Sequence, residues 1–209
     1  MPVGSIIEAA GWPIWAIIVA SVISLTIIFE RFFSLRQSLV APQGLLGQTL
    51  QEYRRAGATQ ELLQLLGQHS PLGRLFAAGL RNADASREVM KESIEDEGRL
   101  VAHQLERYLT TLGTIAAMAP LLGLLGTVIG MIEIFGSQAP SGTNPTELAH
   151  GISVALYNTA FGLIVAIPSM MFYRHFRAQV DALLVDMESQ AVKLVEVLHG
   201  ERKNGNGNH

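Results

Sequence analysis

Charged and apolar positions are sorted along this chain into long alternating blocks. No Asp, Glu, Lys or Arg occurs from Ala9 to Phe29, from Tyr108 to Ile132 or from Leu148 to Tyr173, and each run exceeds the ~20 residues with which a helix spans a bilayer. The pattern predicts three transmembrane helices. A buried helix of a soluble domain can match one such run, but three of them in 209 residues leave too little polar sequence to cover them. Outside these runs the apolar residues keep helical spacing. In the tail, Val180, Leu184, Met187, Ala191, Leu194 and Leu198 recur at alternating steps of four and three. That heptad seam fits packing between helices, or an amphipathic helix lying on the membrane or on its own loop. Ser86 is placed to cap a helix, and no proline follows until Pro120. The second helix is therefore predicted to begin well before the membrane and to run into it uninterrupted. "LVAPQGLLG" and "GQHSPLG" mark breaks between shorter helices. Gly200 ends the tail helix, and "ERKNGNGNH" reads as a polar, disordered end.

Composition strengthens this picture and charge orients it. Apolar residues make up 49% of the chain and charged residues 16%, against about a quarter charged in soluble domains. Of the fifteen Lys and Arg, ten lie from Arg31 to Arg107 and five from Arg174 to Lys203. By the positive-inside rule the N-terminus and the connection between the second and third spans face outward, and the long loop and the tail are cytoplasmic. The first span has no basic stretch before it and is longer than a signal-peptide core, so it is expected to stay as an anchor. The expected organisation is an outward segment and first span over 1–36, a cytoplasmic helical loop over 37–106 and a second span over 107–136. An outward connection over 137–149, a third span over 150–175, a cytoplasmic helix over 176–199 and a tail over 200–209 complete it.

Two spans carry narrow stripes of small residues. Gly123, Gly126, Thr127 and Gly130 lie on one face of the second, continued inward by Ala116 and by Ala119 or Pro120. In the third, Ala155, Thr159, Gly162, Ala166 and Ser169 keep a four-three rhythm. Small residues let membrane helices approach closely, which accounts for the glycines. The threonines leave two readings open: a hydroxyl that bonds its own helix backbone, or one that lines a polar path through the membrane. Glu133 lies roughly 9 Å beyond Thr127 along a helix. It reads either as an acid in interfacial water or, repeated around an oligomer, as a ring of carboxylates at an outer pore mouth. Glu30 and Arg31 close the first span as an interface anchor. Other chemistry is sparse. The chain has no cysteine, which excludes disulfides and thiol chemistry. Its histidines lack ligand spacing, and no phosphate-binding loop is present. No metal, cofactor, nucleic acid or enzymatic residue set is expected.

"APLLGLLGTVIGMIEIF" followed by "GISVALYNTAFGLIVAIP" closely resembles the two signature spans of the MotA/TolQ/ExbB proton-channel family, with the three-span layout of its ExbB and TolQ branch. The resemblance implies an all-α, lipid-embedded motor of the bacterial inner membrane. It would be a homo-oligomeric ring, a pentamer by expectation, around the transmembrane helices of a small single-span ExbD- or TolR-like partner that carries the proton-binding aspartate. A TonB-like or Tol-type protein would receive the work. The resemblance further implies that Thr127 and Thr159 line the pore. Pro120, Gly123, Gly126, Gly130, Ala155, Gly162, Ala166 and Pro168 are then expected to pack helices and face partners. ExbB-like proteins often carry a glutamate where this chain has Val154, so a path through that carboxylate does not carry over. The same spans also fit a second function class, a passive membrane scaffold or small-solute channel.

Overall fold

The computed structural model describes residues 11–136 and 145–200. Every regular element among them is an α-helix: α1 (Pro13–Ser34), α2 (Gln37–Val40), α3 (Leu45–Ala56), α4 (Gln60–His69), α5 (Pro71–Arg81), α6 (Arg87–Leu105), α7 (Leu109–Gly136) and α8 (Pro145–Leu198). Three stretches, Pro13–Ser34, Arg87–Gly136 and Leu148–Leu198, are long and apolar enough to cross a membrane. The chain is thus an all-α protein with three candidate spans. The outward N-terminal segment, most of the expected connection over 137–149 and the "ERKNGNGNH" end lie outside the described residues.

The chain divides into two compact units, one holding Met1–Arg31 with Tyr108–His175, the other Phe32–Arg107 with Phe176–His209. The first unit carries large apolar residues on its surface as well as in its interior. Small and polar residues, among them Ala116, Ala119, Gly123, Ala155, Asn158, Ala166, Ser24 and Ser169, are buried where its helices cross, beside larger apolar ones such as Ile14, Ile17 and Leu112. Its surface carries Trp15, Val22, Leu121, Leu124, Ile132, Leu163, Ile164 and Met171. Large apolar residues outside and small residues at helix crossings are what a lipid solvent selects, because helices there gain from close packing rather than from hiding hydrocarbon. The buried face of α7 tapers in size, reading Leu109, Leu112, Ala116, Ala119, Gly123, Gly126.

The second unit packs the short helices α2 to α6 with the later part of α8. Thr59, Ser70 and Ser86 cap α4, α5 and α6, each hydroxyl accepting from the backbone N–H three residues on. The core holds Leu35, Leu66, Leu72, Phe76, Leu80, Met90, Val101 and, from α8, Phe176, Val180, Met187 and Leu194. Arg74 ties α5 to α6, its Nε donating to Glu97 at 2.7 Å and its Nη1 to Gln104 at 2.6 Å. Arg177 pairs with Glu106 at 3.1 Å. Beside the Ser86 cap, the Glu88 carboxylate accepts from its own backbone N–H and from the serine, which hold it below the ordinary carboxylate range. That group stabilises the folded chain at neutral pH, and its contribution is lost as pH falls through the lowered value.

One expectation is corrected, and two readings are made specific. The helix entering the second span is not continuous: α6 ends at Leu105 and α7 starts at Leu109, and between them Tyr108 takes a left-handed conformation with φ 64°. No glycine or proline marks this break. Arg31, at the end of the first span, is 6% exposed, paired with Glu30, and its guanidinium lies 5.6 Å from the Tyr108 ring centroid, a cation–π contact. The tail seam packs within its own unit, where Val180, Met187, Ala191 and Leu194 are buried together with Phe176, Leu183 and Val195, and Leu184 and Leu198 are half-buried. Gly200, at φ +75°, closes α8 as expected from sequence.

Two glycines of this unit make contrasting tests. A Cβ on Gly73 would stand 2.2 Å from the Leu66 carbonyl oxygen, whereas one on Gly98 meets nothing within 4 Å. Gly73→Ala should destabilise the extracted protein by about 2 kcal/mol through overpacking. Gly98→Ala should raise stability by up to about 1 kcal/mol through helix propensity. Thermal melts of the two variants in detergent check both signs.

Candidate functional site

Helices α7 and α8 meet along the two small-residue stripes, and at the centre they touch backbone to backbone. A Cβ on Gly123 would lie 2.7 Å from the Asn158 carbonyl oxygen and 2.9 Å from Thr159 Cα. One on Gly162 would lie 2.6 Å from the Ala119 carbonyl oxygen. Gly126 receives the Asn158 side chain, and Gly130 faces Ala155. Towards the α7 N-terminus the helices are held further apart, with the Tyr173 ring filling the space over Gly113. Towards its C-terminus, Ile134 covers Gly151.

This approach sets the two threonines against each other. Thr127 Oγ1 and Thr159 Oγ1 are 2.5 Å apart. The Thr127 hydroxyl also lies 3.2 Å from the Gly123 carbonyl and 3.0 Å from the Ala155 carbonyl, and the Thr159 hydroxyl 3.3 Å from the Gly123 carbonyl. Two hydroxyl protons thus share one hydroxyl acceptor and two carbonyls on a half-buried patch. Each oxygen keeps lone-pair capacity for a further donor.

A second hydroxyl pair joins the first span to the third. Ser24 and Ser169, both buried, lie 2.6 Å apart, and Ser169 donates to the Val165 carbonyl at 2.7 Å. With that proton committed, Ser24 is the donor to Ser169.

The remaining candidate residues are placed as follows. Ala155 and Ala166 are buried on α8, Pro120 is half-buried inside α7, and Pro168 is exposed inside α8, away from the α7 seam. Each proline removes one rung of its helix ladder without ending the helix. Glu133 is exposed on the wall of a cavity of ≈ 440 Å³ that Trp12, Val154, Ala155, Asn158 and His150 also line. Three of the residues that shape this region, Ser24, Asn158 and His150, carry no signal in a single sequence. Each is an uncharged or lone titratable residue whose type alone marks no site, and only its neighbours across helices give it meaning.

Two spans closed through glycines around paired threonines, in a unit with large apolar residues outside, agree with what comparison with known families finds. The profile described as the MotA/TolQ/ExbB proton channel family covers residues 67–189. The chain belongs to that family. Biopolymer transport protein exbB1 of Vibrio cholerae is 32% identical over 78% of this chain and 74% of its own length. Biopolymer transport protein ExbB of Aquifex aeolicus is 34% identical over 60% of this chain and 80% of its own length. Tol-Pal system protein TolQ of Haemophilus influenzae is 37% identical over 46% of this chain and 42% of its own length. The chain is accordingly a multi-pass membrane protein of this proton-channel family.

The seam makes a direct prediction. Gly123→Ala and Gly162→Ala push a methyl group into backbone atoms, which cannot swing aside, and should each lower stability in detergent by about 2 kcal/mol or more. Gly136→Ala, which meets nothing within 4 Å, should melt like the unmodified protein.

Proposed function

We propose that this chain is a subunit of an inner-membrane stator driven by the proton-motive force. A ring of copies, five by family resemblance, surrounds the transmembrane helices of an ExbD- or TolR-like single-span partner, N-terminus outside and C-terminus cytoplasmic. Ion flow through the ring becomes mechanical work, delivered through a TonB-like or Tol-type protein to the outer membrane or envelope. The observation that carries this reading is the Thr127–Thr159 pair. It is a polar patch, able to donate and accept, set in two spans that have no charged side chain of their own between Tyr108 and Ile132 or between Leu148 and Tyr173. Such a patch can hold water or meet a partner's carboxylic acid. The titrating acid then comes from the partner. One elementary charge crossing the membrane releases about 2.3 kcal/mol per 100 mV, enough for a few ions to shift a helix between packing minima.

The passive-scaffold reading keeps one observation in its favour: Thr127 also reaches the Gly123 and Ala155 carbonyls, bonds that a purely structural threonine would make. Valine separates the two readings, since it keeps the shape and removes the hydroxyl. Thr127→Val and Thr159→Val should leave insertion and assembly near normal yet reduce gradient-driven work at least tenfold, with the double variant close to inactive. The measurement is work per assembled complex in energised cells carrying the cognate partner. Wild-type output from both variants would make the threonines packing residues and overturn the motor reading.

Assembly has its own test. With the buried seam of α8 used within the chain, Val185, 67% exposed, and Val192 stand on the opposite face. Val185→Asp with Val192→Asp should weaken the ring in native mass spectrometry while insertion persists. Leu194→Asp should instead unfold its own unit.

A further inference from the structure

The cavity at the α7 C-terminus has features that a mere packing defect would not share. It is bounded by the start of α1, the end of α7 and the start of α8, all within the first unit. Its walls include the apolar Trp12, Ile129 and Val154. The titratable groups that line it are Glu133 from α7 and His150 from α8; α1 contributes none. Its floor includes Ala155 and Asn158, the latter 1% exposed. That floor is also the roof of the threonine pair, because the Ala155 carbonyl accepts from Thr127 at 3.0 Å and Asn158 precedes Thr159. A volume of ≈ 440 Å³ has room for on the order of ten waters.

We infer that this cavity is a water-filled cation vestibule within each chain, in which Glu133 gathers hydrated monovalent cations, hydronium among them, above the Thr127–Thr159 pair. A carboxylate at the rim of a cleft with low-dielectric walls focuses its field and raises the local cation concentration. The proposal refines the role of Glu133: the acid serves a pocket inside one subunit, and it needs no ring of five carboxylates on a common axis. It also gives the apolar Val154 a place, as wall rather than proton carrier. The proposal rests on the stator reading for the direction of flow, but it is testable without it.

The chain contains no cysteine, so a single introduced thiol reports its own surroundings. Val154→Cys is treated, in the complex with its partner in spheroplasts, with membrane-impermeant methanethiosulfonates added outside, one cationic and one anionic. Both should react, the cationic reagent about tenfold faster beyond the ratio measured on a small free thiol. Glu133→Gln in the same background should remove most of that preference. Leu156→Cys, whose side chain is exposed on the outer surface of the unit, should react at least tenfold more slowly if it faces lipid. Ile129→Cys gives a second view of the wall should the first variant insert poorly. A thiol at both wall positions that is inert from outside overturns the vestibule. Reaction without charge preference, or with a preference that survives Glu133→Gln, overturns the role of Glu133. Thiol reactivity does not depend on work output, so a failed stator reading leaves this pattern intact, and a failed vestibule leaves the Thr127→Val and Thr159→Val comparison intact.

Discussion

Two helix backbones in direct contact are the constraint on which the rest of the membrane unit depends. Because no side chain stands at Gly123 or Gly162, α7 and α8 close until carbonyl oxygens and Cα atoms of one fill the space where Cβ atoms of the other would be. That closeness brings Thr127 and Thr159 to 2.5 Å and puts the carbonyls of both helices within reach of their hydroxyls. The same closure is local. It opens on one side into the space filled by Tyr173 and on the other into the cavity lined by Glu133 and His150. The polar layer therefore sits at the closest approach of the two helices.

Polar groups buried in such a unit must find partners inside it, since lipid supplies none. They do so with few residues. Ser24 gives its proton to Ser169, Ser169 gives its own to Val165, and Arg31 joins Glu30 and the Tyr108 ring. Interhelical hydrogen bonds of this kind contribute roughly 0.6–2 kcal/mol each, so no single one holds the spans together. Their value lies in register, since sliding a helix by one turn would separate Ser24 from Ser169 and Arg31 from the Tyr108 ring.

Much of this was legible in the chain, and the rest was hidden for identifiable reasons. The spans follow from charge-free runs, because a bilayer imposes a length and a polarity that local sequence must satisfy. The stripes follow from three- and four-residue spacing, since that geometry belongs to the helix itself. Ser86 and Gly200 act at helix ends through short-range bonds and were read correctly. The break at Tyr108 was invisible because it is made by a tyrosine without a glycine or proline, beside an arginine more than seventy positions earlier in the chain. The tail seam showed that α8 had an apolar face and could not show whether that face met its own chain or another. For the site, spacing put Thr127 and Thr159 on their stripes, while only the fold shows that the stripes face each other within one chain. His150 and Asn158 became meaningful only once a cavity joined them.

The serine pair also bears on biogenesis. Ser24 and Ser169 are 145 positions apart, so α1 reaches the bilayer long before the residue that will accept its proton has been synthesised. Until then the Ser24 hydroxyl has only its own helix to bond, as helix serines can through the carbonyl four residues back. The first span therefore enters lipid self-satisfied and uncommitted. It exchanges that internal bond for Ser169 when α8 arrives, and the order of synthesis becomes the order in which the bundle locks.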